Sequence, residues 1–164
     1  WVLVTRWNPL AAWFYEDCYC RFSFHDYDPT RLKNKYAHLT NNSISKHAED
    51  YEEDNKDDTM WHSDDFQEHL KSLKIERDGK VIEDPWLEIV QPAIKRVVHQ
   101  SLECGQDCVL PRNSSFELFG YDFMVAEDLS VWLIEVNSSP DLSYSTSTTR
   151  GLVKAMLEDM ASVI

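Results

Sequence analysis

The chain has 164 residues, 43% of them hydrophobic and 12% aromatic, which is the size and composition of one domain with its own core and excludes an intrinsically disordered tail. Its 29 acidic against 16 basic residues give a formal charge of −13, which argues against nucleic acid and anionic membrane as non-specific partners. No apolar run approaches the roughly 20 residues that span a bilayer, and the start lacks the basic and apolar regions of a signal peptide, so a soluble cytosolic monomer is expected.

Taken in chain order, the sequence opens at Trp1 inside an apolar, β-branched run, WVLVT, with no turn or cap before it. It therefore reads as a fragment that begins mid-strand. Asn8-Pro9 marks a turn into a second strand, AAWFYED, and CYCRFSF makes a third, an antiparallel meander. Cys18 and Cys20 fall in that third strand, while Cys104 and Cys108 fall in a helix-like segment. Neither spacing is a usual zinc pattern, and four unpaired thiols are expected.

The stretch from Asp26 to Leu39 is polar, and HLTNNSISKH turns at its Asn pair into a short helix. Residues 48–59 carry Glu49, Asp50, Glu52, Glu53, Asp54, Asp57 and Asp58, the pattern of a solvated loop. Ser63 stands as an N-cap for a helix with Phe66 and Leu70 on one face. From about Pro85 a longer helix has an apolar stripe of Trp86, Ile89, Val90, Ile94, Val97, Val98 and Leu102, with a bend expected at Pro92 and a stop at Gly105. SFELFGYDFMVAEDLSVWLIEVN reads as a hairpin turning near Glu127 and Asp128, its strands so continuously apolar that burial on both faces is expected. After SSPDLSYSTSTT a final helix turns Leu152, Val153, Met156, Leu157 and Met160 inward.

The chemistry concentrates on that hairpin. Alternation puts Glu135 and Asn137 on one face of the second strand, and antiparallel pairing brings Asp122 within a residue or two of Glu135. Two carboxylates in an apolar setting are costly unless a cation or donors compensate them. A hard divalent ion suits them; magnesium takes few protein oxygens and keeps positions for water and phosphate. Pattern alone favours a second reading, in which Asp122 and Glu135 sit near strand ends and turn into solvent.

The string FELFGYDFMVAEDLSVWLIEVNSSP resembles the metal-binding hairpin of the tubulin-tyrosine-ligase-like family, with Asp122, Glu135 and Asn137 at the positions that hold magnesium against ATP phosphates. HLTN resembles the family segment whose Thr and Asn contact the nucleotide, here Thr40 and Asn41; taken alone, such a pair is more often a turn or helix cap. YCRFS places Arg21 where the family arginine faces the incoming acidic substrate, its planar fork suited to a carboxylate. Without the resemblance Arg21 reads as readily as a surface ion pair. W-N-P-L, N-N-S-I-x-K-H, the helix start from Met60 to Gln67 and S-S-P-D-L-S-Y-S-T are similar to the initiating glycylase branch.

The resemblance implies an α+β fold, the C-terminal portion of an ATP-grasp domain across residues 1–164, with an antiparallel sheet flanked by helices. It implies an ATP- and Mg2+-dependent ligase that joins glycine to glutamate side chains of tubulin C-terminal tails through an acyl phosphate, in the cytoplasm, on the cytoskeleton of a cilium or flagellum. Glutamylation is the competing reaction within the family. A small-carboxylate ATP-grasp ligase would share the hairpin but not the HLTN and Y-x-R strings, and a non-catalytic microtubule-binding relative would keep the fold without turnover. Calcium binding by the acidic loop lacks the glycine and ligand periodicity of an EF-hand.

Overall fold

The computed structural model describes residues 1–48, 59–110 and 112–164; the acidic loop expected at 48–59 therefore lies almost wholly outside the described residues. Strand β1 (Val2–Trp7) turns through a cis Asn8-Pro9 bond into β2 (Leu10–Phe14), and the two pair antiparallel. On its other side β1 pairs antiparallel with β7 (Glu117–Val125), which in turn pairs with β8 (Val131–Asn137). The result is a four-stranded sheet in the order β2-β1-β7-β8. Val2, Leu3 and Val4 lie at its centre, 1, 5 and 1% exposed, as a run of β-branched and aliphatic residues must when both flanks are paired.

The expected meander is incomplete. Strand β3 (Tyr19–Arg21) leaves the sheet and pairs instead with β4 (Met60–His62), forming a separate two-stranded ribbon. The expected helix start at Met60 is thus strand, and helix α3 (Ser63–Ser72) is capped by His62, not Ser63. His62 Nδ1 accepts from the Asp64 amide at 3.2 Å, and Asp65 returns the bond to the His62 amide at 3.3 Å. Ser63 is buried instead, its Oγ accepting from the Cys18 amide at 3.3 Å and tying α3 to β3. Two short helices, α1 (Lys35–His38) and α2 (Asn42–Ser45), fill the polar stretch between β3 and β4.

After α3, Asp78 and Gly79 adopt φ of 53° and 74°, the left-handed pair that a two-residue hairpin turn requires, and join β5 (Glu76–Arg77) to β6 (Lys80–Val81). Asp84 then caps the next helix by accepting from the Leu87 amide at 3.0 Å. A π-helical turn, Trp86–Val90, precedes α4 (Gln91–Gln106). The widened turn sits where the Pro92 ring would press on the carbonyl four residues back, so the expected bend is met by a change of helix pitch. The helix does not stop at Gly105; it ends one residue later, with Asp107 at φ −72°.

Trp86, Val90, Ile94, Val98 and Leu102, each at most 7% exposed, pack with Val2, Val4 and Leu70 as the core. Each fully buried side chain of this kind contributes about 1.5–3 kcal/mol. Helix α5 (Ser147–Val163) buries Leu152, Val153 and Met156. The architecture is α+β, and among the described residues no helix is long and apolar enough to cross a membrane.

The expectation of burial on both faces of the hairpin is corrected. Phe119, Tyr121, Phe123, Val125 and Val131 pack on the core, but Met124, Trp132 and Ile134 stand 58, 64 and 58% exposed. Within this chain α4 covers one face of the sheet at the hairpin, where Tyr121 Oη meets Ser101 Oγ at 2.8 Å, and the outer face is open.

Candidate functional site

Strand register builds the site. Asp122 pairs directly with Glu135, and Gly120 with Asn137. Between Asp122 and Phe123 the register slips by one residue: Phe123 pairs with Leu133, leaving Ile134 as the extra residue of a bulge on β8. Ordinary alternation puts Tyr121 and Phe123 on the core and Glu135 and Asn137 on the outer face with Asp122, and the bulge lets Trp132, three residues before Glu135, pair with Met124 on that same outer face. Asn137 Nδ2 donates to Asp122 Oδ2 at 3.3 Å and to Glu135 Oε1 at 3.2 Å, so the three side chains meet at one point.

Partial burial, and then the Glu135 carboxylate beside it, hold the Asp122 carboxyl above its ordinary value, while the Arg21 charge pulls it back. Arg21 lies at the end of β3 with its guanidinium 5.6 Å from the Tyr19 ring centroid, and its Nε is buried without a hydrogen-bond acceptor. A buried cationic donor of that kind calls for an anion. Arg21 also acts on Asp141, a residue the sequence reading passed over. There the Ser143 amide at 2.8 Å and hydroxyl at 2.9 Å hold the carboxylate below its usual range, with Arg21 adding to the effect. The Pro-Asp-x-Ser string is an Asx-turn signal that could have found it.

The loop after β8 folds back over β7. A Cβ on Gly120 would meet Pro140 Cβ at 3.0 Å, closer than two carbons ordinarily pack, so glycine there lets residues 138–141 lie against the strand that carries Asp122.

Thr40 and Asn41 lie apart from this group, between α1 and α2. The Asn41 carbonyl accepts from the Ile44 and Ser45 amides at 2.9 and 3.0 Å, so its backbone caps α2. Among the described residues neither side chain is hydrogen-bonded to Asp122, Glu135 or Asn137. Among the described residues, too, no three His, Cys, Asp or Glu side chains gather as a ready metal cage. The hairpin offers two carboxylates and an amide. All four cysteines are free, and burial raises the thiols of Cys18 and Cys20 to about 11 and about 12, which makes them poor nucleophiles at neutral pH.

Neither of two concavities on the described surface includes the hairpin group. One of about 110 Å³ lies between Val4–Asn8 and Phe116–Glu117, and a wide, shallow one of about 490 Å³ lies at the hairpin tip by Ala126 and Trp132. The register, not a cavity, is what marks the site.

The sequence profile of the Tubulin-tyrosine ligase family matches residues 1–164. The chain belongs to the tubulin-tyrosine ligase family. It is similar to Tubulin glycylase 3C of Tetrahymena thermophila, 44% identical over 169 residues, covering 100% of the chain and 15% of that protein. Tubulin monoglycylase TTLL3 of Homo sapiens is 40% identical over 167 residues, with 100% of the chain and 21% of the relative covered. Protein monoglycylase TTLL8 of Mus musculus is 40% identical over 167 residues, with 100% and 19% covered. The similarity thus falls in the glycylase branch of the tubulin-tyrosine ligase family, and the chain spans roughly a fifth or less of the length of these relatives.

Proposed function

We propose that the protein carrying this chain is an ATP- and Mg2+-dependent ligase of the ATP-grasp type that joins glycine to glutamate side chains of tubulin tails. The observation that carries the reading is the meeting of Asp122, Glu135 and Asn137 on directly opposed strand positions. Its context supports it, because the glycylase names of the relatives supply the donor and the acceptor.

The donor set fits a hard divalent cation. Two carboxylates in register repel one another, and turning the Asn137 amide over presents its oxygen to the same point. Asp122, Glu135 and Asn137 would hold magnesium, which when bound neutralises charge on the nucleotide's terminal phosphates. Arg21, with its unpartnered Nε, holds the acceptor carboxylate within reach of the transferred phosphoryl group. Thr40 and Asn41 orient the nucleotide with neutral hydrogen bonds. The acceptor carboxylate oxygen attacks the γ-phosphorus of ATP, breaking the bond to the β-phosphate and releasing ADP, and leaves this step as an acyl phosphate; the glycine amine attacks its carbonyl carbon, expelling phosphate, losing a proton and forming an isopeptide bond. No side-chain nucleophile is needed, and the work of the chain is positioning and charge balance. Axonemal microtubules are the setting this reaction implies.

The test is mass spectrometry of tubulin tails after incubation of the full-length protein with ATP and each of glycine, glutamate and tyrosine. Added mass with glycine alone is expected; addition of glutamate instead would reassign the donor. Glu135→Gln in the same protein should abolish transfer with its melting temperature nearly unchanged, and wild-type turnover in that variant would contradict the metal assignment.

A further inference from the structure

An acidic acceptor is an awkward partner for a chain of charge −13, and the distribution of that charge removes the difficulty. From Pro29 to Ala48 there is no Asp or Glu, while Arg31, Lys33, Lys35 and Lys46 supply four of the 16 basic side chains. All four are exposed. The fold gathers them into one lobe built on α1 and α2. Tyr36 Oη donates to the His47 carbonyl at 2.7 Å, joining the two helices. The His38 ring nitrogen bonds the Arg31 carbonyl at 3.2 Å, and the Tyr36 carbonyl accepts from the His25 amide at 3.1 Å, fastening the approach to α1.

Among the described residues little on the lobe neutralises these charges. Arg31 pairs with Asp28 at 3.3 Å, but the two side chains are 77 and 37% exposed, and such a pair yields readily to a competing carboxylate. Lys33 and Lys35 have no acidic partner among the described residues, and Lys35 lies 5.1 Å over the Tyr36 ring. Tyr27 and Leu32, 71 and 80% exposed, add apolar surface beside the charges. The lobe begins ten residues after Arg21 in the chain, and Thr40 and Asn41 lie inside it.

We propose that this lobe, from Arg31 to Lys46, is the face that takes the acidic acceptor peptide, with Lys33 and Lys35 as its principal contacts. The identity of the peptide as acceptor rests on the ligase reading; the charge complementarity does not. A short peptide fits better than a long polyanion, because the rest of the chain carries all 29 acidic and only 12 of the 16 basic side chains, an excess that repels an extended anion such as nucleic acid.

The experiment uses the full-length protein and its Lys33→Glu/Lys35→Glu variant, with a fluorescein-labelled peptide of alternating glutamate and glycine followed by anisotropy at low and high salt. Wild type should bind the peptide with an affinity that falls as salt rises, and the variant should bind about tenfold more weakly. Unchanged affinity for ATP shows that the variant is folded, and Lys46→Glu alone should repeat part of the loss. Wild-type affinity in the double variant would overturn the inference. So would equal binding of a glutamine-for-glutamate peptide, or of a single-stranded oligonucleotide. Because binding is read without turnover, a protein that holds the peptide through these lysines yet transfers no amino acid sinks the ligase reading alone. One that transfers glycine with an unchanged peptide KM in the double variant sinks only the lobe.

Discussion

Asp122 and Glu135 face each other across a strand pair, and their repulsion weighs on the fold until a cation stands between them. Partial burial and the neighbouring Glu135 raise the folded-state pKa of Asp122 above the ordinary aspartate value of 3.8. Between 3.8 and that raised value the folded chain keeps a proton that the unfolded chain has released, so stability falls as pH climbs through the window and stays reduced at neutrality. Asp122→Asn should therefore melt higher than wild type at pH 7 in chelator, by about 0.5 kcal/mol because water reaches the pair. The advantage should fade once pH drops below the unfolded carboxylate value. Added magnesium should stabilise wild type and leave the variant unmoved; calorimetric melting that shows the variant less stable in chelator would mean the pair is not repulsive. At this scale the triad was legible, since a period of two residues and the length of the hairpin place Asp122 opposite Glu135. The bulge at Ile134 was not, because an extra residue in an apolar strand leaves no mark on the pattern.

Elements are decided at their ends, and the ends are where reading from sequence fails most often. The apolar stripe of α4 and the inward face of α5 were legible from periodicity, whereas β4 was read as helix. Three residues, Met60–His62, carry no period of their own, and only pairing with β3 makes them strand. His62 displaced Ser63 as the cap of α3 because burial against Cys18 turns the serine hydroxyl elsewhere. The Asp78-Gly79 hairpin could have been found, since that dipeptide is a strong turn signal. Helix α5 shows what a cap contributes: Thr146 Oγ1 accepts from the Thr149 amide at 3.1 Å, Thr149 Oγ1 accepts from the Thr146 amide at 2.9 Å, and both residues are buried. Thr146 also donates to Met60 Sδ at 3.1 Å, linking the helix to β4. Thr146→Val keeps the shape and strands the Thr149 amide. It should lower stability by about 1–2 kcal/mol, seen as a fall in urea midpoint at constant m. An unmoved midpoint would show that the cap is replaceable.

For the whole molecule, the apolar character of the hairpin and its exposure tell one story. Strands rich in Met, Trp and Ile on both faces are written for burial on both faces, yet only the core face is covered here, and Met124, Trp132 and Ile134 stand more than half exposed beside the carboxylates. The sequence pattern therefore describes an assembly larger than these 164 residues, in keeping with relatives of which the chain spans only 15 to 21%. A nucleotide site encloses most of its ligand in a cleft of roughly 300–1,000 Å³. The outer face that carries the hairpin group is open, with Met124, Trp132 and Ile134 more than half exposed, so it meets a nucleotide from one side. Residues 1–164 alone should then show no micromolar ATP binding by isothermal calorimetry and no amino-acid transfer, and their open apolar face should bind a hydrophobic dye and promote self-association. Micromolar ATP affinity in this chain by itself would mean that one sheet face suffices to hold the nucleotide, and the outer residues would need another explanation than a missing cover.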